Sequence, residues 1–360
     1  MTSTISPLGR VVLPDAEEAR SALKVRELIY AQLSSRALCA MAELGLADAL
    51  AERPLTAAEL ARRVGADPAL LTRLLNALAA FGMLDASTGP DGTEFALTPL
   101  GATLRATAPA SALPTALLVA QAVAPAWERL TESVRTGRPG FPEAFGEDFF
   151  ARLGGSPELR EVFDRSQEAG LALELAALLA AVDFSGPLTV VDVGGGDAAL
   201  LTGLLSAHRE LRGVLVDLAE ALSRAARRLD RAGLGNRCEL VAGDFFEPLP
   251  RDADRYLLRH ILHDWDDAAC LALLRNCRAA MGPDARLLVI DHLAGGEGDR
   301  SDRWGAVMDL YMMSLFGGGR ERTRAELTRL LREAGFDLVR VTRLPAGAGV
   351  FEARVAGGER

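Results

Sequence analysis

The sequence is short of the features that would declare its class at once. Its four cysteines, Cys39, Cys238, Cys270 and Cys277, are scattered with no C-x-x-C spacing. In a chain too large to need covalent staples they read as the reduced thiols of a cytoplasmic protein, not as a disulfide framework. Basic charge is also scarce: 40 Lys and Arg stand against 49 Asp and Glu, a formal net charge of -9. Binding a phosphate backbone calls for a basic face, so nucleic acid is set aside as a partner. The first twenty residues lack the apolar core of a signal peptide. One charge-free stretch, Ala106 to Trp127, is long enough to cross a bilayer, but three prolines and Gln121 interrupt it. It reads as buried or interface helix, with no membrane partner.

What is present points to two domains, because 360 residues at 49% hydrophobic exceed what a single core usually holds. From Leu55, two short amphipathic helices meet at "GAD", followed by "GTEFALTPLGATL" as a small hairpin, a helix-turn-helix with a wing. Thr56 with Glu59 forms a capping box, and Asp67 before Pro68 is a cap with proline at the first helical position. The second helix, Pro68 to Phe81, carries only Arg73 as a charged side chain, too little for a helix that reads a DNA groove. The module is expected to serve packing or dimerisation. The preceding segment "VRELIYAQLSSRALCAMAELGLADALAERP" is helical and apolar around much of its circumference, which suits a homodimer interface. A second helical zone runs from Ala126 to about Ala181.

From Leu188 short β-branched runs alternate with helices, the pattern of a parallel, doubly wound α/β sheet. The last two runs, joined by "PAGA", are expected to form an antiparallel hairpin at the sheet edge. The first of the runs turns through Gly194, Gly195 and Gly196 directly into a helix, a place where backbone approaches a ligand. Alone this also fits a dinucleotide site, with Ala199 as the last small residue and Asp217 about twenty residues on. Asp217 ends the second strand, suited to ribose hydroxyls. Asp244 and Phe245 end the third, an acid for an adenine amine and a ring for its face. Together, and with some 190 residues ahead of the loop, they favour an adenosine ligand over a nicotinamide one.

The motifs "VDVGGG", "GDFFEPLP", "LRHILHDWDD" and "GGGRERT", in this order and spacing, make the chain resemble the S-adenosylmethionine-dependent small-molecule O-methyltransferases, which include plant caffeate-type enzymes and bacterial polyketide and phenazine tailoring enzymes. The resemblance covers nearly the whole chain. It implies a Rossmann-like class I methyltransferase domain over 183–358, a winged-helix-like, all-helical dimerisation domain over 1–105, and a helical region over 106–182 lining the substrate pocket. It implies S-adenosylmethionine as cofactor, S-adenosylhomocysteine as product, no metal, a small aromatic acceptor and a homodimer. Asp192, Gly194, Gly195, Gly196, Asp217, Leu218, Gly243, Asp244, Phe245, Phe246, Arg259 and Trp265 fall at its cofactor positions, with Arg259 toward the adenosine end and Trp265 near the adenine. The family often has glycine where Ala198 stands, so a methyl group is expected to narrow the loop.

Methyl transfer needs alignment and removal of one proton. His263, after the fourth strand, is the expected base. A phenol near pKa 10 faces a histidine near 6.5, a gap of about 5 kcal/mol, which flanking carboxylates would close. The resemblance puts Asp291 and Glu321 there; relatives often carry the longer glutamate at Asp291. The bland alternative makes His263 a solvent-facing helix start capped by Asp264 or Asp266. His260, three residues earlier, invites a metal reading, but strand alternation should separate the two rings, and no cluster completes a zinc site. For the acceptor, the expected walls are Phe149, Phe163, Gln167, Met308, Asp309, Met312 and Phe316; Met308 and Met312 share a helix face, and the resemblance points to Met312 and to Gln167, where some relatives carry a second methionine. Two rivals remain: a non-methylating relative acting as a polyketide hydroxylase or decarboxylase, which the retained histidine disfavours, and a winged-helix regulator.

Overall fold

The computed structural model describes residues 14–295 and 303–357. The opening residues, where a leader was sought, and the expected domain ends at 1 and 358 lie outside them. The chain divides between Ala108 and Pro109 into two compact units, so the helical region from 109 onward belongs with the sheet and not to a segment of its own.

In the first unit α1 (Ala16–Glu43) starts at an Asp15 capping box. The expected caps on α2 (Ala57–Val64) and α3 (Pro68–Ala80) are in place, with Thr56 and Glu59 bonded reciprocally and Asp67 accepting from the Leu70 amide. Between and after them lie β1 (Leu55–Thr56), β2 (Leu84–Gly89) and β3 (Gly92–Leu97), an antiparallel sheet in the order β1-β3-β2. The unit is therefore mostly helical, not all-helical. The hairpin also begins earlier than expected. Leu84–Gly89 supplies its first strand, and Thr98 caps a helical turn at Pro99–Ala102 that ends the second. Along α1, Leu23, Val25, Leu28, Ile29, Tyr30 and Leu33 are all exposed, an apolar surface that this chain leaves uncovered.

The second unit opens with helical turns. Leu113–Leu118 and Ala124–Trp127 are joined through a π-helical Val119–Val123; the wider turn sits just ahead of Pro125, whose ring and missing N–H an α-helix would not tolerate. Ala122 and Ala126 pack there against Phe141, Phe149 and Leu153, and among the described residues no helix is long and apolar enough to cross a membrane. Next come α4 (Phe149–Gly155) and the 25-residue α5 (Pro157–Ala181), capped by Ser156 with proline first.

The sheet then alternates with helices. In chain order come β4 (Thr189–Val193), α6 (Ala199–Ala207), β5 (Arg212–Asp217), α7 (Ala219–Arg231), β6 (Cys238–Ala242), β7 (Arg255–Arg259) and α8 (Asp267–Ala280). They are followed by β8 (Arg286–His292), α9 (Arg303–Leu315), α10 (Arg324–Glu333), β9 (Phe336–Arg343) and β10 (Ala348–Val355). The strand order is β6-β5-β4-β7-β8-β10-β9, parallel from β6 to β8, with β10 antiparallel between β8 and β9. The central strands read as continuous apolar runs because helices cover both faces: Tyr256, Leu258 and Val289 pack on α8 and α10, whereas Leu257, Leu288 and Ile290 pack toward α5, α6 and α7. The order reverses between β4 and β7, which opens the crevice where ligands of such sheets sit.

Buried between the sheet and α8, the Tyr256 hydroxyl donates to the carbonyls of Pro250 and Ala280 at 2.7 and 3.0 Å. Tyr256→Phe strips a donor from both, and urea denaturation of the full chain should show a loss of about 1–2 kcal/mol.

Candidate active site

At the carboxyl ends of β4, β5, β6 and β7 a cavity of about 530 Å³ opens. Its floor is the glycine loop. The Gly194 amide donates to the Val216 carbonyl, and the Gly196 amide to Asp217 Oδ2, both at 2.8 Å. The Gly243 amide reaches the Asp217 carbonyl at 3.1 Å. Three strand ends are thus tied around one acid. Asp217 Oδ1 also accepts from the Leu218 amide at 2.7 Å, and each oxygen keeps lone-pair capacity for a hydroxyl. At Gly195 a Cβ would run into the Asp192 carboxylate and stand 2.6 Å from Leu215 Cδ1, so any side chain there displaces both. Burial pushes Asp192 up to about 7. Asp244 accepts from the Phe246 amide at 2.9 Å, and the Phe245 and Phe246 rings stand edge-on to Trp265 at 5.9 and 5.0 Å. All twelve residues expected at the cofactor line this cavity.

Two expectations change. Arg259 ends β7, two strands beyond β5 from the Asp244 turn, and its guanidinium donates to Glu174 of α5 at 2.9 and 3.2 Å. It stands away from the Asp244 turn, where the adenine was expected. Ala198 has φ +66 and is fully buried among Leu200, Leu201 and Leu204, so its methyl group points into the core and leaves the loop its width. The cost of an alanine here is backbone strain, about 1–2 kcal/mol for a left-handed L-residue.

His263 lies in a 3-10 turn (Leu262–Asp264) after β7, and Asp266 is the residue that caps α8. The bland reading of His263 fails, since its side chain is only 11% exposed and is pinned from behind. Its Nδ1 is 3.0 Å from Glu321 Oε1, and its Nε2 lies 3.6 Å from Asp264 Oδ1. Burial opposes a charge on the ring, but Glu321 and then Asp264 and Asp291 overcome it and raise the imidazole to about 10. Burial in turn lifts Asp264 to about 6 and Asp291 to about 7. Asp291 makes no hydrogen bond to His263: its Oδ1 is buried without a partner, 4.0 Å from His260 Nδ1.

The expected separation of His260 from His263 does not occur. The strand ends at Arg259, the chain turns through φ +55 at His260, and the two rings lie near parallel with centroids 5.2 Å apart. Alternation applies only while the strand lasts.

Aromatic rings make the far wall. Phe149 meets Phe163 and Phe316 edge-on at 5.5 Å each, and Gln167, Tyr311 and Met312 also face the cavity. Met308 and Asp309 do not line it. They sit a turn back along α9, about 5 Å along the axis, and the Asp309 carboxylate accepts from the Glu321 amide at 3.0 Å, behind the His263–Glu321 pair. A wider charged groove of about 1000 Å³ adjoins between α5 and α7, where Arg228 holds Asp197 and Glu168, but it contains no base.

The sequence reading passed over Glu174, Tyr311 and Arg322, and weighed Asp264 only as a helix cap, whereas it stands beside His263. Arg322 stands in "GGGRERT" beside the chosen Glu321, and a charged residue next to a motif acid was the available signal. Its side chain is 1% exposed and donates to the Leu262 and Trp265 carbonyls, both at 2.7 Å, and to Asp267 at 3.0 Å. The Arg320 amide donates to the His263 carbonyl at 2.8 Å. A Cβ at Gly319 would come within 2.9 Å of that same carbonyl, which explains a glycine there.

The loop geometry separates two small substitutions. In calorimetric titrations with S-adenosylhomocysteine, Gly195→Ala should lose at least tenfold in affinity because Asp192 must move, a cost of about 1.4 kcal/mol or more. Ala198→Gly should stay within about twofold, its methyl being outside the cavity.

Comparison with known proteins agrees with this geometry. Residues 127–337 match the model of the O-methyltransferase domain, and residues 26–107 that of the O-methyltransferase dimerisation domain. The chain is 48% identical over 335 residues to O-methyltransferase SfmM3 of Streptomyces lavendulae, covering 91% of this chain and 99% of that protein. The structure of the mitomycin 7-O-methyltransferase MmcR superposes with a TM-score of 0.85 at 38% identity, covering 95% of this chain and all of that one. The O-methyltransferase NcsB1 of neocarzinostatin biosynthesis, solved with S-adenosylmethionine and 2-hydroxy-5-methyl naphthoic acid, gives 0.76 at 35% identity over 89% of this chain and 96% of that one. The chain belongs to the O-methyltransferase family, with the family's dimerisation domain ahead of its catalytic one.

Proposed function

We propose that the protein transfers the methyl group of S-adenosylmethionine to a phenolic hydroxyl of a small aromatic metabolite, with His263 as general base. The buried His263–Glu321 pair carries this reading. When bound, the cofactor supplies an electrophilic methyl group on a sulfonium. The chain's own residues do the rest. The glycine loop, Asp217 and the Asp244 turn with Phe245 hold the adenosine and methionine parts against the ends of β4, β5 and β6. Phe149, Phe163, Met312 and Phe316 hold the flat acceptor, and Gln167 offers it a polar contact. Glu321 holds Nδ1 of His263, leaving Nε2 to accept the acceptor's proton as the oxygen–carbon bond forms and the carbon–sulfur bond breaks. An imidazole raised to about 10 matches a phenol near pKa 10, so the proton moves with little free-energy gap.

We also infer a homodimer through the first unit. The exposed apolar residues of α1 form a patch of the kind that marks an interface, and the match to a dimerisation domain supports a second copy as its partner. DNA finds little there, since Arg73 is the one charged side chain on α3. Replacing Ile29 and Leu33 together by Glu should yield monomer in sedimentation equilibrium while the wild type runs as dimer.

The pH dependence tests the base. Because His263 stays protonated below about 10, kcat/KM should rise by about tenfold per pH unit through neutrality and level only in alkali. Glu321→Gln removes the charge that raises the imidazole, so the rise should level at lower pH and at a lower plateau. His263→Asn should abolish transfer yet leave affinity for S-adenosylhomocysteine within about threefold. A large loss of binding in that variant would mean the ring holds cofactor instead.

A further inference from the structure

Three of the chain's four histidines gather beside the cavity, and the proposed reaction uses one. His260 is sandwiched: its ring lies 4.8 Å from that of His292 at 28°, and 5.2 Å from that of His263 at 20°. The stack depends on an unusual backbone. His260 adopts φ +55, one of four non-glycine residues with positive φ among those described, and strained conformations of this kind persist where the surroundings enforce them, often at functional sites. Without that turn the ring would continue the β7 alternation and leave the base bare on one face.

The groups around His260 come from three elements. Glu174 of α5 is 3.8 Å from Nε2, already held by Arg259; Asp291 of β8 is 4.0 Å from Nδ1; the rings of His292 and His263 both stack on it. Ligand atoms of Glu174, His260 and His292, and of His260, His263 and Asp291, lie within 4.8 Å of one another. Near-parallel rings, however, send their in-plane lone pairs side by side, whereas co-ligands of one ion must converge on it. Burial and the adjacent Arg259 push His260 well below the usual imidazole range, so its ring stays neutral. A neutral π face lies against a ring that takes up a proton.

We propose that His260 is a positioning residue for the base: its imidazole face fixes the plane of the His263 ring, and with it the direction of Nε2. This rests on His263 as base. The stack also favours the protonated ring, as a π face within about 6 Å of a cation does. What matters is the flat face of His260 and not its nitrogens, which sets the role apart from proton transfer and metal ligation.

The test compares His260→Phe, which keeps a face, with His260→Asn, which tolerates the left-handed backbone but has no ring. With four histidines in the chain, ring resonances can be assigned by single substitutions in proton–carbon NMR. The His263 Cε1–H signal should lie upfield from ring current in the wild type and in His260→Phe, and move downfield in His260→Asn. Titration with S-adenosylhomocysteine should give affinities within about threefold for both variants, showing intact folds. With catechol as phenolic probe, His260→Asn should lose about thirtyfold in kcat with KM little changed, the scale of a slightly misaligned base, and His260→Phe should recover most of it. An unmoved signal in His260→Asn overturns the stack, whatever the base. Equal losses in both variants, or none in His260→Asn, overturn the role of the face. Full turnover by His263→Asn in the same assay would instead remove the base, a separate failure.

Discussion

One buried guanidinium joins the two loops on which the site depends. Arg322 reaches from the segment after α9 into the turn that carries His263 and satisfies the carbonyls at both ends of that turn, at Leu262 and Trp265. Asp267, at the start of α8, takes the charge and is held in turn by Arg320 and Arg329. A cation that is 1% exposed is tolerable only when its donors are matched, because an unpaired one would face the full desolvation cost. The match holds Glu321, its neighbour, against His263. Placement of the acid and placement of the histidine are thus one structural event.

The electrostatics follow from that arrangement. Three carboxylates crowd a single buried imidazole, and burial raises Asp264 and Asp291 toward neutrality. Glu321 is the acid in direct hydrogen-bond contact with the ring. This division lets one strong ion pair set the basicity of His263 without a full array of like charges around it. On the other side of β4, Asp217 gathers backbone amides from two loops and shapes the floor of the cavity.

Local chemistry made much of this visible in advance. The capping pairs at Thr56 and Asp67, the seven strand-forming runs of the second unit, the antiparallel pair at the sheet edge, and the acids at the ends of β5 and β6 all rest on short-range periodicity or on residues a few positions apart, and the structure has them where they were expected. The hairpin of the first unit was misplaced because β2, "LDASTG", has too little apolar alternation to announce a strand. Met308 and Asp309 were expected from their place along one helix, which does not say how far along α9 the cavity extends. The resemblance brought Glu321 to attention but not Arg322, which works through backbone carbonyls that no side-chain pattern reveals.

The sequence by itself determined the doubly wound class, the glycine loop and the identity of the residues at the strand ends, because strand runs, caps and tight turns are encoded within a few residues. Tertiary structure alone decided the partners. Arg259 meets Glu174 across 85 residues and His263 meets Glu321 across 58, pairings that depend on strand order and on which loops the switch between β4 and β7 brings together. It also decided the fate of His260. The break in strand geometry at φ +55 is a backbone choice enforced by the surrounding packing, and no periodicity read along the chain could place that ring beside the His263 ring.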